Sequence, residues 1–350
     1  MRVHPSGLVQ LAGTPRELGR AHGAALAGPL REFLDDGLAR LNHLSDQPLT
    51  LAGLRPSIEV YRAEVRAALP DLAEEVTGLA EGAGLTEDEG WLLQLRREVL
   101  GYTGVPATGD CSSYARTCPK CVPVLAQTVD QPGNLDTHIN VLRVAKDGSP
   151  RRVLVLSFAG LLGFMGLNSD GLAIGLNLVT DGIWRPGVPP YMALRHLLDS
   201  AKDVGEALEV LAGLRLSSSR NLIMCDRDRV VFVEAQGTEL RVTEPRTQRA
   251  AHTNHYLHPD FTGQDRQTPF DRISSDARLE AAATGLAALP IQAGAEEHFD
   301  VLCKPPLCIP DDGNIRMERT VAAAVLLPVA GELHLRPGDP SLSDTKVFTV

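Results

Sequence analysis

Between Pro15 and about residue 100, apolar residues return at every third or fourth position. In PRELGRAHGAALAGPLREFLDDGLARLNHL the residues Leu18, His22, Leu26, Leu30, Leu34, Leu38 and Leu41 form one stripe, the period of a helix with a single buried face. A second helix is predicted over residues 56–69, and a third over DLAEEVTGLAEGAG, with glycine at its end. Thr86 and Glu89 read as the capping box of a fourth. After Thr103 the pattern changes. Residues 122–129, 140–145, 153–158, 164–168, 172–179, 221–225 and 230–235 are short, rich in Val, Ile and Leu, and separated by turn formers, so they predict strands. Helices over about 190–201, 204–213 and 269–288 interrupt the series, and VAAAVLLPV and GELHLRPG return to strand. No fixed repeat is visible. The sum is an α+β protein, an extended antiparallel sheet with helices packed on it, preceded by a helical N-terminal segment.

Composition narrows the partners. With 350 residues, 43% hydrophobic and 22% charged, the chain can bury one large core or two modest ones. A formal charge of -10, with no local Lys/Arg cluster, argues against nucleic acid. The first fifteen residues lack the apolar run of a signal peptide, which makes a cytoplasmic location the expectation. The least polar window, 153–179, has the length of a membrane span. It contains Asn168, Ser169, Asp170, Asn177 and five glycines, so buried strands joined by turns fit it better and no membrane is expected.

The chemistry concentrates in TGDCSSYARTCPKC, residues 108–121, which holds Cys111, Cys118 and Cys121. A disulfide framework does not suit a cytoplasmic protein of this size. Cys118, Cys121, Cys303 and Cys308 have the pairing of a tetrathiolate zinc site in a non-enzymatic protein, although the second spacing is long and no knuckle glycine follows. A redox role for Cys118-x-x-Cys121 lacks the following helix that would lower a thiol pKa. A nucleophilic cysteine needs a base, and HTNHYLHP supplies His252, His255 and His258, giving one hypothesis of an unprocessed Cys/His thiol hydrolase. The alternative is that Cys111 becomes a chain terminus. Its own α-amine, with an ordinary pKa of about 7.7–8.0, would then take the thiol proton.

Four segments carry a resemblance in order along nearly the whole chain: Cys111-Ser112-Ser113, Ala126-Gln127-Thr128-Val129-Asp130, GLNSDGLAIGLN over 166–177, and His252-Thr253-Asn254-His255. GTPRELGRAHGAAL near the start and GDP at 338–340 add to it. The sequence resembles the acyl-coenzyme A:6-aminopenicillanic acid acyltransferase family of the N-terminal nucleophile hydrolases, and more distantly the cholylglycine hydrolases. The resemblance implies a four-layer αββα sandwich made as a precursor that cuts itself before the nucleophile. Here that bond is Asp110–Cys111, giving a light chain of 1–110 and a heavy chain of 111–350. The helix-to-strand change falls near it.

By the same resemblance Cys111 is the nucleophile, Asp130 orients the new ammonium group, and Asn254 and Asn177 present amides to the tetrahedral oxyanion. Ser112, His252, His255 and Arg319 are candidates for contacting substrate, with Arg336 a further source of positive charge. The implied activity is hydrolysis or transfer of the acyl group of a small N-acyl or peptide-like amide, in a natural-product setting, with no cofactor and no metal. A homo-oligomer is left open. Three positions depart from the family pattern: Asp110 stands where glycine is usual, Thr-Val-Asp replaces Asn-Trp-Asp, and Gln127 occupies the arginine position of the cholylglycine hydrolases.

Overall fold

The computed structural model describes residues 7–101, 111–181 and 183–350; Asp110, one side of the expected scissile bond, lies outside them. The N-terminal part runs β1 (Gly7–Gly13), α1 (Pro15–Asp35), α2 (Leu41–Leu44), α3 (Leu51–Ala68), α4 (Pro70–Ala83) and α5 (Glu87–Leu100). Then come β2 (Cys111–Arg116), β3 (Val124–Gln131), β4 (Ile139–Lys146), β5 (Arg152–Phe158), β6 (Gly166–Asn168) and β7 (Ala173–Leu178). Helices α6 (Pro190–Ser200) and α7 (Val204–Ala212) precede β8 (Arg220–Cys225), β9 (Val230–Gln236), β10 (Glu239–Thr243) and β11 (Arg249–His252). Helices α8 (Pro259–Thr262), α9 (Pro269–Ala288) and α10 (Ala295–Leu302) lead to β12 (Arg319–Leu327), β13 (Glu332–Pro337) and β14 (Lys346–Thr349).

The strands fall into two sheets, ordered β1-β4-β5-β6-β7-β8-β9-β10 and β11-β2-β3-β12-β13-β14. The β2 and β3 strands of the second sheet pack on β7 and β8 of the first. Outside the first sheet lie α1, against β1 and β4, and α6, against β5, β6 and β7; outside the second lie α9, against β2 and β11, and α10, against β3 and β12. Helix, sheet, sheet, helix is the expected αββα order. One apolar core holds residues of both sheets together with α1 and α3–α6, and a second, smaller one lies between β2, β3, β12 and helices α9 and α10.

Two features of the helical part differ from the sequence reading. The stripe does not stay on one helix: α1 ends at Asp35, and Leu38, Ala39 and Arg40 take positive φ of 59°, 54° and 62° before α2. Asp35 and Asp36 crowd the negative end of the helix dipole with no basic residue in the last turn, which favours termination there. Pro29 lies inside α1 and Leu26 is non-helical at φ -119°, so the helix also bends. The second difference is β1, which pairs in parallel with β4 from Gly7↔Asn140 to Gly13↔Lys146. The N-terminal segment is thus stitched into the first sheet.

Helices α1 and α4 meet backbone to backbone because each carries glycines four residues apart on one face. A methyl group added at Gly19 would lie 1.9 Å from the Glu75 carbonyl oxygen, and one at Gly78 2.1 Å from that of Arg16. Gly23 and Gly82 make the equivalent approaches to Leu79 and Arg20. Because backbone cannot yield as a side chain does, Gly78→Ala is expected to cost at least the 1–3 kcal/mol or so of an overpacked core. Gly28→Ala, with nothing within 4 Å, should leave stability unchanged or raised; urea unfolding of the two variants checks the contrast.

Candidate functional site

Cys111 is the first residue of β2, which lies inside the second sheet between β11 and β3. Strand alternation sends the side chains of Cys111, Ser113 and Ala115 toward the first sheet, and those of Ser112, Tyr114 and Arg116 toward α9 and α10. Cys111 is fully buried. Its carbonyl oxygen accepts two side-chain hydrogen bonds, from Asn177 Nδ2 at 3.1 Å and from Arg278 Nη1 at 3.2 Å.

Each expected residue can be traced from that point. Cys111 pairs with Val129, which places Asp130 one residue further along β3. Buried Asp130 accepts from the Thr320 hydroxyl at 2.7 Å and from the Thr128 hydroxyl at 3.3 Å. Thr128 Oγ1 in turn accepts the Ser112 N–H at 3.2 Å. Asn177, on β7, uses its amide hydrogens on the Cys111 carbonyl and, at 3.4 Å, on that of His252, while its oxygen accepts from Ser113 at 2.7 Å and Asn221 at 3.0 Å. Its geometry holds the Cys111 main chain in place. Asn254 donates to the Leu178 carbonyl at 2.9 Å and accepts from Arg278 Nη2 at 2.9 Å.

Arg278 is the residue that the sequence reading missed. It sits on α9, is buried, and its guanidinium joins Cys111, the Ser112 hydroxyl at 3.0 Å and Asn254. The available signal was an arginine on the expected 269–288 helix, but the turn on which it falls depends on how α9 docks on β2. Gln127 crosses the sheets to donate to the Leu176 carbonyl at 2.9 Å, and a methyl group at Gly175 would lie 2.3 Å from its oxygen. Glycine in the AIGLN strand therefore makes room for this glutamine.

The histidines are turned elsewhere. His252 Nε2 meets Glu234 at 2.9 Å and its Nδ1 lies 2.9 Å from the Thr253 carbonyl. Burial alone would raise the Glu234 carboxyl, but His252 and the Leu257 and His258 N–H groups hold it below the usual range. His255 bonds the Ser275 hydroxyl at 2.8 Å and faces Asp276. Arg319 is paired with Asp136 at 2.6 Å and Asp311 at 3.2 Å, and Arg336 with Glu296 at 2.6 Å, so their charges are already compensated. Among the described residues no three His, Cys, Asp or Glu side chains gather as a metal ion requires, so the four cysteines do not form the zinc alternative. Cys121 instead donates to the Cys118 carbonyl, and Cys303 to that of Pro340. No helix among the described residues is long and apolar enough to cross a membrane.

The family model of "Acyl-coenzyme A:6-aminopenicillanic acid acyl-transferase" matches residues 117–341, about two thirds of the chain. The chain belongs to this family. A curated relative, the 40 kDa form of acyl-coenzyme A:6-aminopenicillanic-acid-acyltransferase from Emericella nidulans, is 26% identical over 280 residues, covering 79% of this chain and 77% of its own. Among solved structures, the penicillin V acylase of Agrobacterium tumefaciens superposes with a TM-score of 0.48 at 13% identity, over 69% of this chain and 86% of that one. A mutant conjugated bile acid hydrolase from Clostridium perfringens gives 0.46 at 11% identity, over 69% and 97%.

Several buried groups in this acyltransferase-family chain give its stability a defined pH dependence. Burial pushes His255 down to about 4, His298 to about 4 and His22 to about 3. Between the ordinary value of about 6.5 and those values, the unfolded chain binds protons that the folded chain does not, so stability falls as pH falls. Urea unfolding is expected to show a clear loss from pH 7 to pH 5, and His255→Gln to remove part of that slope.

Proposed function

We propose that the protein is a self-processing cysteine amidohydrolase or acyltransferase with Cys111 as its N-terminal nucleophile. The observation that supports this best is the hydrogen-bonded chain Asn177–Cys111–Arg278–Asn254, with Asp130 adjacent on β3. It fixes a thiol-bearing residue at the start of a strand and sets an asparagine and an aspartate around it.

In the first stage the Cys111 thiol attacks the carbonyl of Asp110. The amide nitrogen leaves with a proton, the acyl group shifts from nitrogen to sulfur, and water hydrolyses the thioester. The products are a carboxylate on residue 110 and a free α-amine on Cys111. In the second stage that amine takes the thiol proton and the sulfur attacks the carbonyl of an N-acyl amide. The oxyanion receives an N–H of Asn254, whose oxygen Arg278 fixes; the departing amine takes the proton from the ammonium group, and the acyl group remains as a thioester. Asp130, held by Thr128 and Thr320, accepts a hydrogen bond from the ammonium group and keeps the amine aimed at sulfur. Water or a second amine then takes the acyl group, with water the default acceptor.

The relative named for 6-aminopenicillanic acid suggests a small N-acyl amine as substrate, in keeping with a cytoplasmic enzyme of natural-product metabolism. The burial of Cys111 suits a precursor whose thiol is closed to outside substrate until the chain is cut. The two products of processing would stay together, since β1 is paired with β4.

Intact mass measurement should convert the 37.6 kDa chain into two species that meet at Cys111 and together exceed it by one water. Cys111→Ala should remain a single species without amidase activity. Asn254→Ala should lower kcat by about 100- to 1000-fold, the usual cost of one oxyanion donor. An uncut chain that turns over amides, or full activity in Cys111→Ala, would sink the reading.

A further inference from the structure

The connection from β2 to β3 carries two cysteines at the opposite end of the hairpin from Cys111. Cys118, Pro119, Lys120 and Cys121 form a turn closed by the Cys121 N–H on the Cys118 carbonyl at 3.2 Å. The Cys121 thiol folds back onto the same carbonyl at 3.4 Å. A β-turn keeps its first and fourth Cα atoms within about 7 Å, and a disulfide spans roughly 4.4–6.8 Å. Both cysteines are half-buried, while Pro119 and Lys120 between them are exposed. The turn is also anchored: the Gln292 side chain donates to the Lys120 carbonyl, and the Val122 N–H to that of Ile291 at 3.3 Å.

Thiol–disulfide exchange needs one cysteine that is reachable and readily ionised, and a second beside it to displace the first adduct. No helix follows this pair to lower a thiol pKa, but the turn supplies N–H groups of its own. Partial burial raises Cys118; the Cys121 thiol and the N–H groups of Lys120 and Cys121 outweigh it and hold Cys118 below the usual thiol range. Burial, and then the neighbouring Cys118, push Cys121 up to about 11. The two positions therefore differ in the way an attacking and a resolving cysteine differ. The other thiols are less open to exchange. Cys111 and Cys225 are fully buried, with Cys225 on the Arg116 carbonyl at 3.8 Å, and burial raises both Cys303 and Cys308.

We propose that Cys118 and Cys121 form a reversible dithiol–disulfide site, in which Cys118 attacks a small-molecule disulfide and Cys121 resolves the adduct. The Cys118 thiolate attacks one sulfur of RS–SR, forming a mixed disulfide and releasing RS⁻, which takes the Cys118 proton. The Cys121 thiolate then attacks the Cys118 sulfur. The internal disulfide closes, and the second RS⁻ leaves and takes the Cys121 proton. Two protein thiols are oxidised and one small disulfide is reduced to two thiols. The new bond lies outside the β2–β3 ladder, which runs from Cys111↔Val129 to Arg116↔Val124, so it closes the hairpin without changing the register at Cys111. The site is independent of the amide-processing reading.

The sequence provides the readout. Trypsin cuts after Arg116, Lys120 and Arg143, so a reduced turn gives peptides 117–120 and 121–143 separately, whereas the disulfide keeps them joined. Purified wild-type protein is equilibrated with mixtures of reduced and oxidised glutathione, quenched in acid, alkylated and digested for mass spectrometry. The joined peptide should grow as the oxidised fraction rises and vanish on addition of dithiothreitol. Cys121→Ser should stop at a glutathione adduct on Cys118. Cys118→Ser should slow reaction of the turn with oxidised glutathione by about 10-fold or more, since the remaining thiol is far less ionised. The wild-type result stands even where a variant fails to fold. Absence of the joined peptide from folded wild type, a link to another cysteine in its place, a bond that dithiothreitol does not reverse, or a folded Cys118→Ser reacting at the wild-type rate overturns the proposal.

Discussion

The Cys111 carbonyl oxygen is the point at which the two sheets and an outer helix are joined. Asn177 reaches it from β7 of the facing sheet, and Arg278 reaches it from α9 on the opposite side. Both donors are buried. A hydrogen bond there is strong, and its loss leaves a desolvated amide or guanidinium behind. The arrangement therefore fixes more than one residue: it sets the register of β2 against β7 and the docking of α9 on β2 at once. Any nucleophile built at this strand end inherits that rigidity.

The same constraint explains the neighbouring small and polar residues. Gly175 leaves space for the Gln127 side chain between the sheets, and Ser113 fills the gap beneath Asn177 while donating to it. Asn221 supplies a second donor to the Asn177 oxygen, so this amide cannot rotate without breaking four contacts. Thr128 relays between the Ser112 N–H and the Asp130 carboxylate. With both polar atoms of the Asn177 amide paired, this part of the seam resists the side-chain hopping that a purely apolar seam allows.

Much of this was legible in the chain. The helical period through α3, α4 and α5 and the apolar runs of β4, β5, β7, β8 and β9 are local properties, and they appear where expected. Features that depend on distant partners were not. β1 has no strong pattern of its own and exists because β4 offers it an edge. β10, β11 and β14 are short edge strands with mixed exposure, and β2, Cys-Ser-Ser-Tyr-Ala-Arg, has no apolar run although the fold buries all six residues. For the site, the motifs yielded Cys111, Asp130, Asn177 and Asn254 as neighbours, but not the division of labour among them. That Asn177 spends its amide on the Cys111 carbonyl, and that Arg278 ties Asn254 to it, are consequences of packing that no spacing encodes. Nor could spacing show that Glu234 and Ser275 bond the His252 and His255 rings in three dimensions.

A nucleophile at a strand's first residue meets a geometric demand that an interior position cannot. Inside a strand the backbone N–H is committed to the ladder and is flanked by peptide on both sides. At position 111 the ladder begins, so one cut upstream turns an amide into an amine without disturbing the pairing of Ser112 to Arg116 with β3. Asp130 stands one residue beyond the last pair of that ladder, beside the place where a new ammonium group would appear. In the proposed reaction the sheet thus supplies rigidity to the residue's carbonyl side, while the chemistry takes place at its nitrogen and sulfur. In that proposal the clamp on the Cys111 oxygen would hold still the one end of the residue that remains peptide.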